Sequence, residues 1–440
     1  MTAQQLNSYT DEYKNIADSL PGQSVDWLNQ YRKQAFELFS DQGFPSLREE
    51  EWRYTNVAAI EKKLFSPQLN DESVDVEKQW LNDYRVDDAF TVVLVNGRFS
   101  AELSTLDGLP DHISVMSMAD ALERQTDLLE KYFSKAVSNE EHSFIAFNTA
   151  WFSDGLFIHV PANQVLNKPI QLLHIVTQAD LLASTRNIIV VDEMAEAVVI
   201  ETFVGVDDAY LSAAVTEVFV EKNAQLSLYK MQCEGNKAYH FGGTYVNQAR
   251  DSRFKHHNFA FGSMLARNDI HTDLDVASEC DLNGLYLGVK RQHIDNNTRI
   301  NHNQPHAISR ELYKGVLNQR ARGVFQGRVV VVEDAQKTDS EMNNRNLLLS
   351  NDAEVDTKPQ LEIYADDVKC AHGVTVGQLD EKSIFYLQSR GVDEETARNM
   401  LTFAFANEMV DKVKLKSLHD MLLGQLLKRF PQAGVDKEWL

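Results

Sequence analysis

Between Trp151 and Ala335 the sequence runs through one short alternating apolar segment after another, and no helical period interrupts them. The segments read LFIHV, IQLLHIV, NIIVV, AVVIET, TEVFVE, QLSLYKM, FKHHNFAF, DIHTDL, CDLNGLYL, HIDNNTRINH, ISRELYKGVL and GVFQGRVVVV. Side chains alternate between the faces of a strand, so each segment offers one face to a core. So long a run without a helix excludes folds that alternate strand and helix, and leaves a large sandwich, a propeller or a parallel β-helix. Polar turns such as DEMAE, EKNA and DNNT join the segments, and hairpin dipeptides are scarce, with Asp154-Gly155 and Asn283-Gly284 the exceptions. Parallel stacking needs no tight hairpins, so these features favour the β-helix. No exact repeat is visible.

The flanks read differently. Residues 1–150 form a mixed, largely helical domain: Ser24 to Phe39 carries Trp27, Tyr31, Ala35 and Leu38 at helical spacing, with Gly43 and Pro45 as stops. Residues 118–137 repeat apolar positions at three and four, and FTVVLVNGRF reads as short strands between helices. The β-helix core is assigned to 151–379. Within it residues 335–358 are polar apart from one leucine knot and are expected to be a loop crossing the body, before the strand-like LEIYA and VKCAHGVTV. Residues 380–440 are a helical module, expected to form a separate contact surface. SIFYLQSRG closes on Gly391, residues 393–408 place Ala397, Met400, Leu401, Ala404 and Phe405 on one face, and Leu415 to Phe430 form the last helix.

The 440 residues are 43% hydrophobic, enough to bury a large core, and 65 acidic against 43 basic side chains leave a formal net charge of -22. That charge repels phosphate backbones and anionic lipid, so neither nucleic acid nor a membrane is an expected partner. The first residues have no basic stretch followed by an apolar run and no long apolar span follows, so a cytoplasmic protein is expected. Three cysteines, Cys233, Cys280 and Cys370, are too few for a disulfide framework or a four-thiolate metal site. No Gly-Lys pair occurs, so the chain has no phosphate loop and no ATP site of that kind. Nucleophile-elbow, His-Glu-x-x-His and dinucleotide motifs are missing too.

The most suggestive constellation is Val368-Lys369-Cys370-Ala371-His372-Gly373. Cys370 and His372 stand two apart in a strand-like run and share a face, and thiolate and imidazole suit iron and zinc. Against that stands packing, the usual role of a buried free cysteine. His256, His257, His293, His302 and His306 lie among Asn, Asp and Arg residues and read best as polar residues of solvated faces. Asp269, His271, Asp273 and Asp275 alternate along one run, with Asp281 following. Such a row fits a β-helix carbohydrate-active enzyme, the alternative reading of the chain, but in so acidic a protein exposed acids are expected anyway. Arg310, Arg320, Arg322 and Arg328 are expected to pair with surrounding acids.

From Gly323 onward the chain resembles a known family. GVFQGRVVVVEDAQKTDSEMNNRNLLLS, then PQLEIYADDVKCAHGVTVGQLDEKSIFYLQSRG, is similar to the C-terminal half of the SufB and SufD proteins of iron–sulfur cluster assembly. ADDVKCAHG looks like the SufD branch, and REEEWRYTN around Trp52 resembles a motif near the start of that branch. The resemblance implies a right-handed parallel β-helix flanked by N-terminal and C-terminal helical domains. It implies a non-catalytic scaffold, paired with SufB through the β-helix edge and with the ATPase SufC through the C-terminal helices, where Phe385, Tyr386, Arg390, Gly391 and Phe405 are the candidate contacts. A transient iron–sulfur cluster would form between the SufB-like and SufD-like chains, at a histidine that matches His372, with Cys370 beside it. FAD is implied only for the assembled complex. A homodimer is expected when the partners are absent.

Overall fold

The computed structural model describes residues 3–69, 76 and 78–430; the last stretch of the expected C-terminal module, 431–440, lies outside the described residues. The strand-rich middle is a parallel β-helix. Its strands alternate between a ten-stranded sheet running out to Lys369–Gly377 and a nine-stranded sheet running out to Glu354–Ile363. Leu182–Val191 of one sheet is followed by Glu196–Gly205 of the other, then Leu211–Val220 of the first, and so on through the chain. The step between coils is not constant: Tyr239 pairs with Leu265, whereas Arg322 pairs with Glu354. This drift is why no repeat is readable in the sequence.

The corners turn without hairpins. Single residues with positive φ sit there, including Met194, Asn223, Ala277, Lys290, Gln319 and Lys337, so the left-handed bend falls mostly on non-glycine residues held by the coils on either side. FTVVLVNGRF belongs to the same body. Phe90–Val95 pairs in parallel with Ile170–Val176, then turns back through Asn96 (φ 53) and Gly97 (φ 81) into the antiparallel Arg98–Thr105. Ser114–Ser117 likewise pairs antiparallel with Leu156–Val160. These pieces cover the first coils.

Residues 335–358 are not a loop. Asp339–Leu348 and Glu354–Ile363 are strands of the last coils. In Asp339–Leu348 polar side chains are buried: Ser340 receives a hydrogen bond from Ser309 at 2.8 Å, Asn344 donates to the Tyr313 carbonyl, and Asn346 donates to Asn344 at 2.6 Å. Polar side chains that satisfy one another inside the lumen erase the hydropathic alternation by which a strand is read.

Helices cover both outer faces. Asp26–Gln42 ends at Gly43 (φ 68), and with Ser143–Trp151 it packs on the nine-stranded sheet through Phe39, Phe147, Trp151, Leu211 and Val215. The helical pattern at 118–137 is two short helices, Met118–Arg124 and Thr126–Tyr132, broken at Gln125. At the C-terminal end Glu381–Ser389, Glu394–Val410 and Lys416–Arg429 follow. Glu394–Val410 buries Ala397, Thr402, Phe403, Ala406, Met409 and Val410, not the face through Ala404, which is exposed. Side chains from Glu394–Val410 and Lys416–Arg429 close over Ile200, Met231, Phe259, Leu285 and Val316 of the ten-stranded sheet, so these two helices are part of the core, while no side chain of Glu381–Ser389 belongs to that cluster. Among the described residues no helix is long and apolar enough to cross a membrane.

Candidate functional site

Lys369–Gly377 is the outermost strand of the ten-stranded sheet, with a neighbour on one side only. Register runs through the sheet in rows. Cys370 continues the row Phe254, Cys280, Ser309 and Ser340, and His372 continues the row His256, Leu282, Glu311 and Met342. Earlier members of both rows are buried in the lumen. Because no coil follows, Cys370 is only partly buried and His372 is exposed. The two residues thus stand side by side on an inward face that nothing covers, roughly 7 Å apart along the strand. Burial raises the Cys370 thiol, and the backbone N–H of Ser340 pulls the other way. No group of three or more His, Cys, Asp or Glu able to hold a metal occurs among the described residues, so this pair is a two-donor set.

Beneath it polar groups are set among the apolar side chains of the lumen. His302 Nε2 lies 2.9 Å from Ser309 Oγ, whose hydroxyl donates to Ser340. Glu311, two coils in along the His372 row, is 3% exposed, and burial pushes its carboxyl up to about 7. Further in, burial brings the Lys230 ammonium down to about 8 against the pull of Glu201 and Glu234. These lumen groups are invisible to sequence reading, because their burial is set by coils distant in the chain.

The residues expected to contact an ATPase divide in two. Phe385 and Tyr386 are 71% and 57% exposed on Glu381–Ser389, Arg390 stacks 5.2 Å over the Tyr386 ring and donates to its hydroxyl at 3.1 Å, and Gly391 (φ 90) ends the helix. Phe405 instead packs toward the sheet, with the Lys314 ammonium 4.4 Å over its ring.

The histidines are not solvated-face residues as a group. His256 and His302 lie buried in the lumen and His257 is buried under the outer face, while His293 meets the Thr55 hydroxyl at 3.0 Å. The acidic row is not free either. Asp269 is buried between Arg267 (2.9 Å) and His142 (3.0 Å); burial alone would raise its carboxyl, but Arg267, His142 and His271 bring it down to about 2. Asp273 accepts from Asn301 and Asn303, and Asp275 lies past the strand end. Asp269 is thus committed to internal pairs, while Asp273 and Asp275 line a separate cavity of about 370 Å³, so the row does not present its carboxylates together on one open face. Each singled-out arginine does pair with an acid: Arg310 with Asp339, Arg320 with Asp352, Arg322 with Asp356 and Arg328 with Glu362.

The WRYTN motif locks onto the same outer face. Arg267 lies 3.8 Å over the Trp52 ring, its Nη1 donates to the Glu51 carbonyl and to Asp295, and the Thr55 hydroxyl donates to Asp295. Motif and partners are far apart in sequence, so its structural role could not be read there.

Two family models together match most of the chain. The family described as "SUF system FeS cluster assembly, SufBD core domain" matches residues 174–405, and "SufBD protein N-terminal region" matches residues 3–172. An iron–sulfur cluster assembly SufBD family protein of Synechocystis is 31% identical over 405 residues, 89% of this chain and 88% of the relative. The iron–sulfur cluster assembly protein SufD of Escherichia coli is 32% identical over 405 residues, 88% of this chain and 90% of the relative. The Bacillus subtilis SufD is 26% identical over 446 residues, 96% and 97% of the two chains.

Proposed function

Because the chain belongs to the SufBD family of iron–sulfur cluster assembly proteins, we propose that it is a scaffold subunit that presents His372, with Cys370 beside it, to a cluster completed by a SufB-like chain. One observation carries the proposal: the Cys370–His372 pair ends two lumen rows on a coil that no further coil follows. Iron and its sulfides take imidazole and thiolate, and a two-donor set leaves coordination positions to be filled from another chain. A cluster shared between chains leaves when the chains part, which suits an assembly site better than a resident cofactor. The cluster here is cargo.

The edge strands Glu354–Ile363 and Lys369–Gly377 present unpaired backbone N–H and C=O groups, with Ile363, Tyr364, Val374 and Val376 exposed beside them. Such an edge takes up another strand, from the SufB-like partner or, when that is absent, from a second copy of this chain. Phe385, Tyr386, Arg390 and Gly391 form the candidate docking surface for a SufC-like ATPase, whereas Phe405 packs toward the sheet. Nucleotide-driven movement of the ATPases would then open and close the shared edge, a two-state interface biased by nucleotide. The chain works in the cytoplasm without an ATP site of its own, and any FAD belongs to the assembled complex.

The test is co-purification with the candidate SufB and SufC partners, followed by anaerobic iron and sulfide quantification on wild type and His372→Ala. A partner-dependent cluster lost in the variant supports the proposal. A complex that loads iron and sulfide equally in both removes His372 from the site.

A further inference from the structure

The backbone of the last strand fixes how a second chain can meet it. Lys369 donates its N–H to the Thr338 carbonyl, so it turns its backbone groups toward the strand already in place, and by alternation Ala371 and Gly373 do the same. Cys370, His372 and Val374 turn theirs the other way, to the side where the sheet has no further strand.

A second copy of this chain meets that edge under one constraint. A two-fold axis makes the contact self-complementary, so an axis normal to the sheet pairs Lys369–Gly377 with itself, antiparallel. Hydrogen-bonded pairs then form between residues that both turn their N–H and C=O to the seam, as Cys370 and His372 do. With Ala371 opposite its own copy, each Cys370 stands opposite the other chain's His372. Directly opposite residues share a face, so two thiols and two imidazoles rise together from the joined inward faces. Opposite donors lie about 5 Å apart and diagonal ones about 7–8 Å. Those separations suit one tetrahedral ion with metal–sulfur bonds of about 2.3 Å and metal–nitrogen bonds of about 2.0 Å.

The chemistry of the donors agrees. Two thiolates and two imidazoles are a set that zinc takes in closed structural sites. Directly beneath them in register are Ser340 and Met342, so no carboxylate from the adjoining strand competes for the ion on this face. One chain supplies half the set, and among its described residues no group of three or more His, Cys, Asp or Glu completes it.

We propose that a homodimer through the open coil closes a four-coordinate site for a divalent cation of the zinc class, built from Cys370 and His372 of both copies. The inference rests on the edge pairing given above and adds to it a metal-held resting form. Each thiol gives its proton to solvent as its sulfur binds, with no change of oxidation state, so binding strengthens as pH rises. The closed site occupies the two side chains that the cluster needs, so this dimer and the assembly with a SufB-like chain exclude each other.

Sedimentation of the untagged full-length chain, stripped with EDTA and then titrated with zinc chloride, tests it together with metal analysis of the dimer. One zinc per two chains is expected, and cobalt(II) in its place gives the visible absorption of a tetrahedral thiolate site. Cys370→Ser and His372→Ala each lose roughly tenfold or more in zinc affinity, and the cobalt spectrum with it, while circular dichroism matches wild type. Cys233→Ser, under the C-terminal helices, keeps both. A chain that stays monomeric with zinc removes the self-pairing and the site together. A dimer that binds no zinc, binds one per chain, or keeps its affinity in both variants overturns the site and leaves the pairing standing.

Discussion

Leu182–Val191 is buried along its whole length, whereas Glu354–Ile363, built on the same strand geometry in the same sheet, has no fully buried residue. The first strand has a coil on each side and helices over its outer face; the second has a coil on one side only. Strand pattern therefore does not set how firmly a segment is held in this protein. Position in the stack does. The interior coils lock the shape, and the last coil leaves its inward face and one backbone edge uncovered.

That contrast is tested most severely in the interior. Arg186 and Glu217 are fully buried, 2.6 Å apart, and Glu217 also accepts the backbone N–H groups of Ser134, Lys135 and Ala136, tying the helical layer to the nine-stranded sheet. Glu217→Ala strands the arginine and is expected to cost about 3–5 kcal/mol in urea unfolding. If the loss is under about 1 kcal/mol, the tie between layers carries little of the stability. Leu282→Ala follows, on the row that ends at His372: it opens a cavity between two coils and should cost about 2–5 kcal/mol.

Midway along that row, Glu311 supplies a pH test. Its folded pKa of about 7 lies above the ordinary 4.5, so the folded state holds the proton more tightly and stability falls as pH rises through that window, then levels off. The full loss is about 3 kcal/mol. Glu311→Gln should flatten the stability profile between pH 5 and 8; a profile as steep as wild type would place the titration elsewhere. The smallest expected effect is at the open end. His372→Ala should change unfolding by less than about 0.5 kcal/mol, because it removes no buried packing. A loss comparable with that at Leu282 would mean that the last coil is covered in the isolated chain, as in a homodimer through this edge.

Some of the molecule was legible in advance for local reasons. Gly43 and Gly391 end helices because they take φ values of 68 and 90 that other residues avoid. Asp339–Leu348 was illegible because its buried positions carry Ser, Asn and Met, a pattern that looks like a solvated loop until the neighbouring coils supply the partners. The acidic run at Asp269 misled for the converse reason: alternation put its side chains on one face, but Trp52, Arg267 and His142, brought from elsewhere in the chain, turned that face into an interior.

For the candidate site, sequence placed Cys370 and His372 on one face of a strand, since that follows from a period of two. It also carried the family likeness and the strand texture of the β-helix. Only the tertiary structure decided that this face belongs to the last, uncovered coil and that the last two helices are part of the core. Periodicity acts between neighbouring residues, while exposure and charge balance depend on which coil lies above and which helix crosses, and those are set by contacts between segments far apart in the chain.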